Sequence, residues 1–313
     1  MRNTRVDVIP DSAATRGDSR ESPGALVSVA WVRKHLDDPD LRLVHVSSQP
    51  EHYPKGHIRG AVFADLHTDL AQRGRERSIP GVELQYLIPD TDAVAESLRR
   101  WGVGPHDRVV FYDDWARNRQ AIRGLWLLRL RGFPKDRVHV LDGGTKAWWA
   151  ARLSLTTDVQ EPAVVERYPL GPEDSSLLAT RDQVEAWSRE TLDGGPIRIL
   201  DVRTAEEFRG EDVQSRRGGH IPGAVNLNWE EFVNADNTFK SLDEIEEILG
   251  PVTLGDPDAL RATYCQGGVR AAAAWFVLSE LLSIPDVRNY ARSWEEWGNR
   301  NDTPIDGPGA RKR

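Results

Sequence analysis

A seven-residue motif recurs in this chain with one change. Gly56-His57-Ile58-Arg59-Gly60-Ala61-Val62 returns as Gly219-His220-Ile221-Pro222-Gly223-Ala224-Val225, with six of the seven identical. The surroundings repeat as well. A buried-strand pattern precedes each copy, Leu43-Val44-His45-Val46 in one half and Ile199-Leu200-Asp201-Val202 in the other. Helical stretches stand before these runs, around Val29–Leu36 and Thr180–Ser188. Downstream, the run ending at Tyr112-Asp113 aligns with the run ending at Tyr264-Cys265 through the shared tyrosine. Apolar helices follow at Ala121–Leu130 and Ala271–Leu282. Each half then shows a short strand and a tryptophan: Val138–Leu141 with Asp142-Gly143-Gly144 and Trp148, and Val287–Tyr290 with Ser293 and Trp297.

Short apolar runs alternating with helical patterns predict an α/β domain, a mainly parallel sheet flanked by helices. A period of roughly 150 residues belongs to a duplicated domain, since solenoid units repeat every 20–50 or so. The 313 residues are enough for two such domains with a full core each. The expected division is a disordered tail at 1–24, a first domain at 25–153, a linker at 154–176, a second domain at 177–305 and a tail at 306–313. Pro162, Pro169, Gly171 and Pro172 break both periodicities in the linker.

Charge narrows the function. Lys+Arg 41 against Asp+Glu 49 leaves −8, which argues against a general nucleic-acid or membrane-surface binder. No run approaches the roughly 20 apolar residues of a membrane span. The first two dozen residues lack the apolar core of a secretory signal, and Asp7, Asp11, Asp18 and Glu21 interrupt their arginines, unlike a transit peptide. A cytoplasmic location is expected. The single cysteine excludes an internal disulfide and is too little for a thiolate zinc site. A lone cysteine is a small buried apolar residue or a reactive thiol, and its neighbourhood decides.

That neighbourhood is Ala262-Thr263-Tyr264-Cys265-Gln266-Gly267-Gly268-Val269-Arg270-Ala271, which reads strand, glycine turn, helix. Ligand sites in parallel sheets lie at the carboxyl ends of strands, where Cys265 falls. The following helix offers unpaired N–H groups and the positive end of its dipole. Two glycines let the backbone curl so that several N–H groups converge on one point. Such a cradle favours a thiolate and, for the same reason, a persulfide anion. Arg270 closes the loop with a fork of donors suited to an oxyanion.

This loop, together with the paired Gly-His-Ile-x-Gly-Ala motifs, resembles the rhodanese family of sulfurtransferases in its tandem form, over about residues 25–305. The resemblance implies two rhodanese-like domains, the first without the cysteine and the second with it. Asp113 stands after Tyr112 where Cys265 stands after Tyr264, which matches that division. Related phosphatases of the cell-cycle type use Cys-x5-Arg; Cys265 to Arg270 is the shorter Cys-x4-Arg, which fits the smaller sulfur. Mercaptopyruvate enzymes of the family tend to carry Cys-Gly-[Ser/Ala]-Gly-Val-Thr. Here the loop ends in arginine, which favours the doubly charged thiosulfate.

The resemblance assigns catalysis to Cys265 and substrate binding to Gln266, Gly267, Gly268, Val269 and Arg270. Asp201 and Arg203 are expected to support the loop. His57 and His220 read as structural, because the same histidine sits in a half that has no cysteine. Family members often have an arginine where this chain has Glu207. Arg270, Arg209 or the Arg216-Arg217 pair, in an insertion that the first half lacks, could restore the charge, and Arg217 is taken as a candidate substrate-binding residue. Ala291 and Arg292 replace the Asp-Gly usual before Ser293-Trp294. Asp113, Asp114, Arg117 and Arg119 read as a solvent-facing remnant first and a cleft wall second; Trp115 and Trp229 are further candidates for the cleft.

The expected activity is transfer of sulfane sulfur from thiosulfate, a small anionic donor, to cyanide, a thiol or a protein through a Cys265 persulfide. This persulfide chemistry requires no metal or cofactor, and none is expected. The alternatives are 3-mercaptopyruvate as donor, a persulfide relay to a sulfur-carrier protein, and a degenerate binding scaffold.

Overall fold

The computed structural model describes residues 24–159, 161–253 and 255–308. The expected N-terminal tail lies outside them apart from Gly24, as do the last five residues of the expected C-terminal tail.

The first half runs β1 (Leu26–Val27), α1 (Val29–His35), β2 (Leu41–Ser47), β3 (Val62–Asp65), β4 (Gln72–Arg75), β5 (Glu83–Leu87), α2 (Thr91–Arg100), β6 (Arg108–Asp113), α3 (Arg119–Leu130), β7 (Val138–Leu141) and α4 (Gly144–Ala150). The second runs α5 (Arg181–Leu192), β8 (Ile199–Asp201), α6 (Ala205–Arg209), β9 (Val225–Asn226), α7 (Leu242–Val252), β10 (Ala262–Tyr264), α8 (Val269–Phe276), β11 (Arg288–Asn289) and α9 (Ser293–Trp297). Side-chain caps start the helices where the sequence signals them. Thr180 with Gln183, Thr204 with Glu207 and Ser241 with Glu244 each form a capping box.

Two parallel sheets result, ordered β1-β7-β6-β2-β3 and β11-β10-β8-β9. The strand that ends in Asp113 and the strand that precedes Cys265 hold equivalent inner places. Register makes the equivalence exact to the residue, since His45 lies opposite Tyr112 and Asp201 opposite Tyr264. The first half adds an antiparallel hairpin, β4–β5, to which no pattern in the sequence pointed.

The duplicated motif does the same structural task in both halves. Tyr112 Oη accepts the Ile58 amide at 3.0 Å, and Tyr264 Oη accepts the Ile221 amide at 3.2 Å. His57 stacks on Tyr53 and donates Nδ1–H to the Tyr53 carbonyl at 2.8 Å. His220 stacks on Phe208 and bonds the Phe208 carbonyl at 2.9 Å. Each histidine also exchanges backbone hydrogen bonds with the segment leaving its own half, at Thr156 and at Asp306. Both are fastenings, remote from the thiol's chemistry.

The halves join through their equivalent helices, α3 packing on α8 within one continuous apolar cluster that includes Leu125, Trp126, Ala272 and Phe276. A buried ion pair, Arg129 to Glu280 at 2.6 Å, reinforces this seam. Among the described residues no helix is long and apolar enough to cross a membrane.

Removing either tyrosine hydroxyl strands a buried amide, which costs about 1–3 kcal/mol. Tyr112→Phe and Tyr264→Phe should therefore each lower the unfolding free energy by that amount, read as a lower urea midpoint. Unchanged midpoints would show that the hydroxyls do not hold the motif.

Candidate active site

Cys265 follows the fully buried strand β10 and is itself 1% exposed. Its backbone is clamped from one side by the segment around α9. The Cys265 amide donates to Ser293 Oγ at 3.0 Å, and the Cys265 carbonyl accepts the Trp294 amide at 3.0 Å. The Gln266 carbonyl accepts the Glu295 amide at 2.8 Å, and Asn289 Nδ2 donates to the Gly268 carbonyl at 3.1 Å. Sγ receives the Gly268 amide at 3.1 Å, at the start of α8. The thiol thus faces the positive end of a helix.

Both loop glycines are required by what surrounds them. Gly268 has φ +81°, and a Cβ there would lie 2.4 Å from the Ala291 carbonyl oxygen. A Cβ on Gly267 would lie 2.2 Å from the ring of Tyr86, so β5 of the first half rests directly on the loop. Glu295 fastens that strand by accepting the amides of Gln85 at 2.7 Å and Tyr86 at 3.3 Å. Ala291, one departure from the family pattern, is buried against Gly268, while Arg292 pairs with Glu76 of the first half. Only the second of these contacts crosses the seam between the halves.

The expected loop cation is not available as a bare charge. Arg270 lines the cleft, but its guanidinium is clasped by both oxygens of Glu207, at 2.6 and 2.8 Å. Burial pushes the Glu207 carboxyl up, yet the hydrogen bonds and charge of Arg270 outweigh it and hold the carboxyl below its ordinary value. The pairing cancels the charge on which a preference for a dianion was argued. Arg217 is corrected further. Its guanidinium donates to the carbonyls of Trp297 at 2.8 Å and Thr303 at 2.9 Å, pinning the C-terminal segment outside the Cys265 cleft. Arg216 reaches the Pro80 carbonyl at 2.6 Å, and Arg209 pairs with Glu211 on the surface.

Asp201 and Arg203 form a buried unit. The carboxylate takes the Arg203 amide at 3.0 Å and its guanidinium at 2.6–3.1 Å, and the guanidinium lies over the rings of Trp294 and Tyr264. Arg203 also donates to the Gly219 carbonyl at 2.8 Å. Their support reaches the loop through the Trp294 ring, while Ser293 supplies the direct brace.

Above the thiol lies a cleft of about 490 Å³ between the halves. Gln266, Gly267, Val269, Arg270, Thr204 and Trp229 line one side; Ser48, Leu66, His67, Tyr86, Arg119 and Gln120 line the other. Trp229 is therefore a cleft residue, whereas Trp115 is 63% exposed and is not. The first-half loop has become a polar turn. Asp113 accepts the amides of Asn118 at 3.1 Å, Gln120 at 3.1 Å and Ala121 at 3.3 Å, capping α3 as a carboxylate. Burial pushes its carboxyl up to about 6, with the Ala121 and Asn118 amides pulling the other way. Arg119 projects from this turn into the cleft wall, so the first reading of it, as a solvent-facing remnant, gives way to the second.

The model of the rhodanese-like domain matches this chain at residues 28–151 and again at 184–300. The chain belongs to the rhodanese family. The sulfur carrier protein TtuD of Thermus thermophilus is 34% identical over 90% of this chain and 96% of its own length. A thiosulfate sulfurtransferase of Corynebacterium glutamicum is 34% identical over 91% of each chain. Among solved structures, the 3-mercaptopyruvate sulfotransferase SseA of Escherichia coli superposes with a TM-score of 0.70 at 26% identity, covering 87% of this chain and 99% of that one. This rhodanese shares its fold with an anaerobic ergothioneine biosynthesis enzyme of Chlorobium limicola, with a TM-score of 0.75 at 23% identity over 90% of this chain and 70% of that one.

Reasoning from the sequence missed Ser293 as the loop's brace, Glu295 and Tyr86 as its contact with the first half, and Glu207 as the partner of Arg270. The rhodanese loop leans on this last pair, and a hydrogen-bonded charge contributes about 1.5–3 kcal/mol. Glu207 has a folded-state pKa below its ordinary 4.5, so its contribution is full above that value and is lost as pH falls through the lowered one. Glu207→Gln should lose roughly 1.5–3 kcal/mol at pH 7 by urea unfolding, with the gap to wild type closing in acid. A gap independent of pH would mean that the carboxylate charge is not what holds Arg270.

Proposed function

We propose that this sulfurtransferase takes the sulfane sulfur of thiosulfate onto Cys265 and passes it to a thiophilic acceptor. The reading is carried by one observation: the chain's single thiol lies at the floor of the cleft between the halves, with its Sγ against the Gly268 amide at the head of α8. The thiolate attacks the outer sulfur of thiosulfate. A new S–S bond forms at Sγ, the old one breaks, and sulfite leaves with the bonding pair. The product is Cys265–S–S⁻, so charge balances across the step. The outer sulfur extends beyond Sγ toward the amides of Val269 and Arg270, which open α8 and have no backbone partner among the described residues. Cyanide or a thiol then takes that sulfur and restores the thiolate, completing a double displacement.

Gln266, Gly267, Gly268, Val269 and Arg270 are the binding loop in this reading. Gln266 contributes backbone more than side chain, since its amide group donates to Ser215 Oγ at 3.1 Å. Asp201 and Arg203 are supports. Sulfur is both nucleophile and carrier, so the transfer calls for neither metal nor organic cofactor. The scaffold alternative is disfavoured because the substitutions that suggested it, Glu207 and Ala291, are built into the loop's support rather than breaking it.

A relay reading has its own support in the 34% likeness to a protein named as a sulfur carrier. There the acceptor is a protein or its thiol, with the same persulfide as the outgoing species. The overall charge of −8 does not suit a nucleic-acid or membrane partner. A working thiol with no second cysteine to pair with suits a reducing compartment, and we place the protein in the cytoplasm.

Intact-mass measurement after thiosulfate treatment should show one added sulfur on the wild type and none on Cys265→Ser, with sulfur transfer to cyanide abolished in the variant. Sulfur retained by the variant would remove Cys265 from the mechanism. Rates with thiosulfate and with 3-mercaptopyruvate, each with cyanide as acceptor, test the donor, and a preference for mercaptopyruvate would overturn the thiosulfate assignment.

A further inference from the structure

We infer that Arg119, supplied by the cysteine-free first half, is the residue that binds the anionic end of the sulfur donor. The inference rests on the thiosulfate reading and specifies how that donor is held. The first reaction step brings a thiolate and a dianion together in a protein of net charge −8, so their repulsion needs a cation in the cleft. Two arginines line it, Arg119 and Arg270. Arg270 has its charge paired by Glu207, which takes two of its N–H donors. The carboxylate on the lining, Glu230, pairs with Arg117 at 3.0 Å. Among the described residues Arg119 has no carboxylate partner. Its guanidinium lies over the Trp229 ring at 5.5 Å, which holds it to the cleft wall while leaving its N–H fork for an oxyanion.

The duplication explains why the cation comes from this side. Arg119 opens α3 as Val269 opens α8, and these equivalent helices pack together, so the loop of one half confronts the loop of the other. With the outer sulfur of thiosulfate at Sγ, its sulfonate end points away from the loop, toward the opposite wall. As the S–S bond breaks, the electron pair moves onto that end and leaves as sulfite. A cation there assists both binding and departure.

In a double displacement, kcat/KM for the donor reports the first half-reaction and kcat/KM for the acceptor reports the second. The test compares wild type, Arg119→Gln and Arg119→Lys, with thiosulfate as donor and the uncharged dithiothreitol as acceptor. Arg119→Gln should lose roughly ten- to a hundredfold in kcat/KM for thiosulfate. It should also weaken inhibition by sulfite and flatten the fall of that kcat/KM with salt. Discharge of the preloaded persulfide by dithiothreitol should stay within about twofold of wild type, and Arg119→Lys should recover most of the donor loss. Unchanged thiosulfate kcat/KM in Arg119→Gln, or equal losses in both half-reactions, would overturn the inference while leaving the Cys265 persulfide standing. A wild type that takes no sulfur from thiosulfate would overturn the donor reading and this inference with it.

Discussion

The packing of α3 on α8 is the constraint from which the rest of this molecule follows. Each helix follows the inner strand of its own sheet, and each begins at the turn that leaves that strand. Pressing the two together buries one shared apolar seam and sets the two turns across from each other. The cleft is the space left between them. A single copy would bury neither helix on its outer face and would expose the cysteine loop to water. The first half is therefore part of the site although it carries no thiol. It supplies the ring of Tyr86 against Gly267 and the Arg119 wall, and through Gln85 and Tyr86 it is hydrogen-bonded to Glu295 beside the loop.

The two turns show how one backbone plan supports two local chemistries. In the first half a short carboxylate reaches across and takes the amides that open α3, closing the anion site with an anion of its own. In the second half a thiol stands at the equivalent strand end, and only the Gly268 amide is engaged by it among the described residues. In the proposed reading the remaining amides of that turn receive the added sulfur. In that reading Asp113 occupies with its own side chain the place that an added sulfur takes at Cys265. The glycines at 267 and 268 let the turn pack closely, because any side chain there would meet Tyr86 or the Ala291 carbonyl.

Much of this was legible because the repeat is carried by local signals. The Gly-His-Ile motifs, the shared Tyr112 and Tyr264, the apolar strand runs and the helix after Cys265 depend on residues near one another in sequence. The expected helices and strands at Val29, Thr180, Ala121, Leu43, Ile199 and Val138 all correspond to elements. Contacts between distant residues were not legible. Glu207 and Arg270 meet across 63 positions, and Glu295 meets Gln85 across 210. Hairpin β4–β5 carries Gln72-Arg73-Gly74-Arg75, which has no alternation to mark it as a strand. Arg217 was drawn to the site by its charge, and its actual role is to satisfy carbonyls of a segment whose path the sequence does not reveal. Arg119 opens α3 two residues before the apolar pattern begins, and its place in the wall exists only once the halves are packed.

In the proposed reading the turn from Cys265 to Arg270 holds one extra sulfur. A crystal structure of the protein loaded anaerobically with thiosulfate tests this most directly. The expected result is a second sulfur bonded to Cys265 Sγ, within hydrogen-bond reach of the Val269 and Arg270 amides, with the loop backbone unmoved. A bare thiol after loading, or an added sulfur turned away from those amides, would contradict it.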